Sequence, residues 1–123
     1  MKKVILIVED EPKNLKLIRD LLQVSGYMTM EATNGKQGIE LAKANKPDLI
    51  LMDILMPGMD GFEATKILKT DAETKNIPII ALTSHAMKGD EEKMLGIGCD
   101  GYIAKPIDTR EFLKNVSEFL SNS

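Results

Sequence analysis

At 123 residues the chain is the size of one domain, and a chain of that length can bury roughly 65–70% of its unfolded surface around one core. A net charge of −3, no Trp and no basic stripe with interleaved aromatics argue against a nucleic-acid partner, because phosphate contacts need clustered Lys and Arg. The single cysteine, Cys99, excludes an internal disulfide and fits a reducing compartment, and no apolar run approaches the ~20 residues needed to span a bilayer, so a cytoplasmic protein with no membrane partner is expected.

Strand and helix signals alternate along the chain. A first strand over about residues 3–8 runs into Glu9-Asp10-Glu11. A helix follows over Pro12–Val24, with Pro12 in the first turn, where its missing N–H costs little. Leu17, Ile18, Leu21 and Leu22 are expected on one face, with Leu15 at the edge of that stripe. Gly26 stands in a stop position. The second strand, residues 27–32, alternates weakly and is polar enough to lie at a sheet edge. Asn34-x-x-Gln37 is a capping box opening a second helix that runs to about Asn45, and Pro47 separates it from a third strand over 49–53.

Residues 56–61, Met-Pro-Gly-Met-Asp-Gly, read as a loop. A third helix is expected over about 62–68, a polar connection over 71–77 and a fourth strand over 78–82. The fourth helix, about 87–95, contains Gly89 and few apolar residues at helical spacing, so it is expected to be marginal or mobile. A fifth strand covers 102–104. Asp108-x-x-Glu111 opens the fifth helix, whose Phe112, Leu113, Val116, Phe119 and Leu120 form one buried face.

Five strand–helix units in this length imply an α/β fold: a doubly wound, five-stranded parallel sheet in the order 2-1-3-4-5, forming one domain over residues 1–123. Ligands of such sheets bind outside the carboxyl ends of the strands at the switch point, here between strands 1 and 3. Glu9, Asp10 and Asp53 converge there, with Thr83 and Lys105 at the neighbouring strand ends.

Carboxylates crowded together repel one another, and a divalent cation resolves the repulsion. Oxygen-only ligands with waters suit Mg2+. Asp10 and Asp53 are the expected ligands, with Glu9 acting directly or through water and the backbone carbonyl of Leu55 completing the shell. An Asp side chain can also accept a phosphoryl group as a nucleophile, and Asp53, alone at the end of the central strand, is the candidate. Mg2+, Lys105 and the Thr83 hydroxyl would then stabilise the three phosphoryl oxygens. Each residue by itself has a bland reading as solvated charge or a capping hydroxyl, and the conjunction at matched strand ends favours a site. Cys99 reads as a small core residue and His85 as a rim residue with no second histidine to share a metal.

Four segments, Ile-Val-Glu-Asp at 7–10, Leu-Met-Asp-Ile-Leu-Met-Pro-Gly-Met-Asp-Gly at 51–61, Ala-Leu-Thr-Ser at 81–84 and Tyr-Ile-Ala-Lys-Pro-Ile at 102–107, make the chain resemble the response-regulator receiver domain of two-component signalling. Segments 86–93 and 98–103 are similar to the single-domain DivK type. The resemblance implies a flavodoxin-like, CheY-like fold. It also implies that Asp53 is the phosphoacceptor, Glu9 and Asp10 the acidic pair for Mg2+ (with Mn2+ able to substitute), Lys105 the phosphate-binding lysine, Thr83 the switch hydroxyl and Tyr102 the switch aromatic. By the same resemblance the bond before Pro106 is cis, and Leu55 and His85 tune how long the aspartyl phosphate lasts. A histidine kinase or histidine phosphotransfer protein would be the donor, docking near the start of the first helix. A downstream protein would bind the face made by the fourth helix, fifth strand and fifth helix, in DivK-like control of cell division or differentiation. Such a protein is not an enzyme; it accelerates only its own phosphorylation and dephosphorylation.

Four other readings compete. A receiver excised from a hybrid histidine kinase would share these segments, although Met1 and the polar tail Ser121-Asn122-Ser123 favour a whole protein. A Mg2+-dependent phosphatase of the haloacid-dehalogenase type carries a second Asp two residues after its nucleophile, where this chain has Leu55. A flavodoxin-like electron carrier would meet Glu9-Asp10-Glu11 where its FMN phosphate must sit. A receiver that binds partners without being phosphorylated would not need the full set of site residues.

Overall fold

Three short runs rich in Val, Ile and Leu form the central strands because their side chains are buried on both faces of a sheet, as parallel pairing requires, and the two flanking strand runs, residues 28–32 and 101–104, are less apolar and less buried. A computed structural model of the chain describes residues 2–54, 61–83 and 96–121. Its strands are β1 (Val4–Val8), β2 (Met28–Ala32), β3 (Leu49–Asp53), β4 (Ile79–Thr83) and β5 (Gly101–Ala104). The helices between them are α1 (Pro12–Val24), α2 (Gly35–Asn45) and α3 (Gly61–Thr70), and a C-terminal helix spans Thr109–Ser121. All strand pairings are parallel, in the order β2-β1-β3-β4-β5. This is the doubly wound order expected from the sequence, with β2 at one edge. The fourth helix expected over 87–95 and the loop at 56–60 lie outside the described residues, as do Leu55 and His85.

The period-2 alternation of strand side chains divides the core in two. Leu6, Val8, Ile50, Met52, Ile79 and Ala81 face α2 and α3, packing with Ile39, Ala42, Ala64 and Leu68. Ile5, Ile7, Leu49, Leu51, Ile80 and Leu82 face the other way, against Ile18 and Leu22 of α1 and Phe112, Val116 and Leu120 of the C-terminal helix. Burying each of the Val, Leu, Ile, Met and Phe side chains among these fully contributes about 1.5–3 kcal/mol. The strand starts are tied as well: Val4 N donates to Asp48 Oδ2 and Asp48 N donates to Val4 O, both at 2.8 Å.

Several local expectations change. On α1 the buried stripe runs through Ile18 and Leu22 with Leu15 partly buried, and Leu17 stays 38% exposed. The cause is the 100° step of the helix: positions 15, 18 and 22 stack at i, i+3 and i+7, and 17 is turned away from them. Asn34 Oδ1 accepts from Gln37 N at 2.8 Å, but Gln37 Oε1 reaches one residue further back and accepts from Thr33 N at 2.9 Å. Asp108 Oδ1 caps the last helix by accepting from the backbone N of Arg110 and Glu111. Helix α3 is longer at both ends than the expected 62–68, and β4 is shifted one residue, so that Thr83 is its last member. Cys99 is buried, and that burial pushes its thiol up to about 11. Among the described residues, no helix is long and apolar enough to cross a membrane.

Candidate metal and phosphoryl site at the carboxyl edge of the sheet

Register brings the strand ends to one edge. Val8 pairs with Met52, Asp53 with Leu82, and Thr83 with Ala104, so the residues that end or follow β1, β3, β4 and β5 lie side by side. Two backbone bonds extend the ladders past the strands: Glu9 N donates to Ala32 O at 3.0 Å, and Lys105 N donates to Thr83 O at 2.7 Å. Glu9 and Lys105 are therefore held by main chain as well as by side-chain contacts.

The polar groups here are deeply placed. Glu9 is 0% exposed, and Asp53 and Thr83 are 4% exposed each. A buried charge persists only when it is paired. Lys105 Nζ supplies the pair, 2.7 Å from Glu9 Oε1 and 3.4 Å from Asp53 Oδ1. Glu9 Oε2 also accepts from Glu11 N at 3.4 Å. Burial disfavours the Glu9 charge, but hydrogen bonds shared with Asp53 and Lys105, together with the Lys105 charge, outweigh it and hold the carboxyl below the usual range. Lys105 mirrors this. Burial opposes its ammonium, and contact with Glu9 and the charge of Asp53 outweigh burial and raise its pKa. The Lys105–Pro106 peptide bond is cis.

Glu9, Asp10 and Asp53 each bring a carboxylate oxygen to within 4.8 Å of the others. When ionised, three carboxylates against the single Lys105 ammonium leave two negative charges uncompensated. An all-oxygen set with that deficit fits a hard divalent cation, which could not be said of a site of mixed sulfur and nitrogen donors.

Of the residues singled out in the sequence, Glu9, Asp10 and Asp53 thus come together through their carboxylate oxygens, and Lys105 contacts Glu9 and Asp53. Thr83 is on the adjoining strand end, and Tyr102 lies half-buried on β5, packed against the core on the α3 side. Gly61 has a role that is not evident from the sequence alone. A β-carbon there would collide with the Asp53 carbonyl oxygen and come within 2.7 Å of Ile54 Cα. Gly61 N also donates to Ile54 O at 3.0 Å, tying the start of α3 to the residue that follows β3. The Asp-Gly ending of the 56–61 run was the available signal.

Comparison with known proteins agrees with this geometry. Residues 5–117 match the family model for the response regulator receiver domain. The polar-differentiation response regulator DivK of Brucella anthropi is 47% identical, over all of this chain and all of that protein. DivK of Brucella ovis is 46% identical with the same coverage. Among solved structures, the chemotaxis protein CheY4 of Vibrio cholerae superposes with a TM-score of 0.92 at 26% identity, covering 97% of this chain and 99% of that one. The receiver domain of the sensor histidine kinase PA1611 of Pseudomonas aeruginosa, which holds a magnesium ion in its active-site cleft, superposes with a TM-score of 0.91 at 34% identity, covering 98% and 99%. A five-stranded sheet in this order, with an acid cluster and a lysine at its carboxyl edge, and these likenesses lead to one conclusion: the chain belongs to the response regulator receiver domain family and is a DivK-like response regulator of two-component signalling.

Proposed function

We propose that Asp53 accepts a phosphoryl group from the phosphohistidine of a histidine kinase or histidine phosphotransfer protein. The Asp53 carboxylate attacks phosphorus, the new O–P bond forms as the P–N bond to imidazole breaks, and the imidazole leaves on the donor. Glu9, Asp10 and Asp53 would hold Mg2+, with the Leu55 carbonyl completing the shell. The bound ion supplies Lewis-acid neutralisation of charge on the phosphoryl oxygens, and Mn2+ is the expected substitute. Lys105 turns its ammonium from Glu9 toward the transferred group, and the Thr83 hydroxyl donates to another oxygen.

The observation that carries this reading is the Lys105 ammonium set between Glu9 and Asp53 at the sheet's carboxyl edge. Once Thr83 is drawn to the phosphoryl oxygens, Tyr102 rotates into the space it leaves. The face comprising residues 87–95, β5 and the C-terminal helix then changes population between two forms and binds the downstream partner. The donor docks at the start of α1, around residues 13–17. Leu55 and His85 are assigned to tuning the phosphoryl lifetime; an unchanged dephosphorylation rate in Leu55→Asn would remove Leu55 from that role. A buried, unpaired Cys99 suits a reducing, cytoplasmic setting. The DivK relatives, named as polar-differentiation response regulators, favour a role in differentiation.

The test is transfer from a phosphohistidine-loaded phosphotransfer protein. Loss of label from the donor with stoichiometric gain on this chain, and no turnover of p-nitrophenyl phosphate, fits a receiver that accelerates only its own phosphorylation and dephosphorylation. Sustained turnover of the phosphomonoester would instead favour a phosphatase with an aspartyl nucleophile.

A further inference from the structure

A second polar cluster lies at the amino ends of β4 and β5, across the sheet from the phosphoryl site. Lys69 Nζ, on the last turn of α3, donates to Ile77 O at 2.7 Å, Asp100 Oδ2 at 3.0 Å and Lys75 O at 3.4 Å, so each of its protons has an acceptor. The Lys69 side chain is 15% exposed, and its stem lies against Gly98, where a β-carbon would come within 2.9 Å of Lys69 Cγ. Asp100 carries this anchor onto the sheet. Its Oδ2 also accepts from Ile79 N at 2.8 Å, and its own N donates to Ile79 O at 2.8 Å. Both main-chain polar groups of the fully buried Ile79 are thus met by the residue just ahead of β5, and leaving a buried N–H without an acceptor is costly.

Little else holds β5 in register. It has four residues, and Gly101 and Ala104 offer almost no side chain to key the pairing. Its ladder on β4 starts at the Asp100–Ile79 pair and ends where Lys105 N donates to Thr83 O. A slip of one residue would carry Lys105 about 3.3 Å along the edge, out of its contacts with Glu9 and Asp53, and would turn Tyr102 to the other face. We propose that Asp100, held by Lys69, is a positioning residue for phosphoryl transfer: it fixes the register of β5 and so the place of Lys105 beside Asp53. The inference rests on the reading of Asp53 as phosphoacceptor and of Lys105 as the cation that meets the transferred group.

The test uses the full 15N,13C-labelled chain and its variants. Asp100→Ala removes the acceptor, and Asp100→Asn keeps an oxygen for Ile79 N and Lys69 Nζ. Lys69→Met keeps the stem over Gly98 and removes the donors. Thr74→Val deletes the buried hydroxyl that donates to Leu68 O at 2.6 Å, and so controls for lost stability alone. The scalar coupling across the hydrogen bond from Lys105 N to Thr83 O reads the far end of the ladder directly. It is expected to fall below detection in Asp100→Ala and Lys69→Met and to persist in Asp100→Asn and Thr74→Val. With acetyl phosphate at saturating Mg2+, phosphorylation should slow about tenfold in Asp100→Ala and recover in Asp100→Asn, because misplacing one group by a few tenths of a nanometre costs that much or more. The Mg2+ concentration giving half the maximal rate should stay within about twofold of wild type, since Glu9, Asp10 and Asp53 do not ride on β5. Wild-type coupling and rate in Asp100→Ala, or equal slowing in Thr74→Val, would overturn the inference. If Asp100→Ala does not fold, wild-type coupling and rate in Lys69→Met overturn it instead. A wild-type protein that gains no phosphoryl group sinks the phosphoacceptor reading alone, and the Lys105–Thr83 coupling still decides whether Asp100 sets β5.

Discussion

Lys105 Nζ stands 2.7 Å from Glu9 Oε1, joining groups 96 residues apart in sequence at the mouth of the sheet. Glu9 is completely buried, and the hydrogen bond shared with Asp53 together with this ammonium offsets the cost of its charge. Lys105→Met leaves Glu9 and Asp53 facing each other without it. Breaking a buried pair from one side costs about 3–5 kcal/mol, and the 15% exposure of the Lys105 side chain puts the expectation near the lower figure. Urea unfolding should show that loss without metal and a partial recovery with Mg2+. An unchanged midpoint in metal-free buffer would mean that the contact contributes nothing to stability.

The same pair predicts how stability depends on pH. Glu9 has a folded-state pKa below its ordinary 4.5, so its contribution is complete above that value and is lost as pH falls through the folded pKa. Lys105 has a folded-state pKa above its ordinary 10.5, so its contribution is complete below that value and is lost as pH rises through the folded pKa. Metal-free protein should therefore show a plateau in Tm between these limits and a fall on each side. Glu9→Gln should flatten the acid limb. Asp20 and Asp71 shift in the same direction through contacts with Lys16, and with Glu73 N and Lys43, so the comparison belongs at high salt, where such exposed contacts are screened. An acid limb identical in Glu9→Gln would assign the acid sensitivity to other carboxylates.

Gly61→Ala tests the close approach behind Asp53. A β-carbon cannot fit against the Asp53 carbonyl without moving the end of β3 or the start of α3. Overpacking of this kind costs about 1–3 kcal/mol. Phosphorylation should slow more than Mg2+ affinity falls, because the displaced backbone belongs to Asp53 itself. A variant with wild-type phosphorylation kinetics and lowered stability would confine Gly61 to a structural role.

Tyr102→Ala tests the coupling between the site and the face beyond it. Amide shifts of Phe112 and Asn115 on phosphorylation should fall by at least half in the variant, with phosphorylation at Asp53 intact. Undiminished shifts would show that the change reaches the C-terminal helix without the aromatic ring.

The sheet was readable because its strands are short, apolar and separated by turn and capping signals: Leu49–Asp53, bounded by Pro47 and the 56–61 loop, leaves one interpretation. The acids and Lys105 were readable because register converts strand ends into neighbours. Other features depended on tertiary contact. Exposure of Leu17 follows from which of two overlapping apolar stripes on α1 meets the sheet. The collision that reserves position 61 for glycine needs the coordinates of β3. The partition of Lys105 between Glu9 and Asp53 depends on side-chain distances that spacing does not encode.

The most direct measurement is the intact mass of the protein after incubation with acetyl phosphate, with and without Mg2+, beside Asp53→Ala. The account predicts a gain of one phosphoryl group that requires both Mg2+ and Asp53. A gain of the same size in Asp53→Ala, or in wild type stripped of divalent metal, would contradict it.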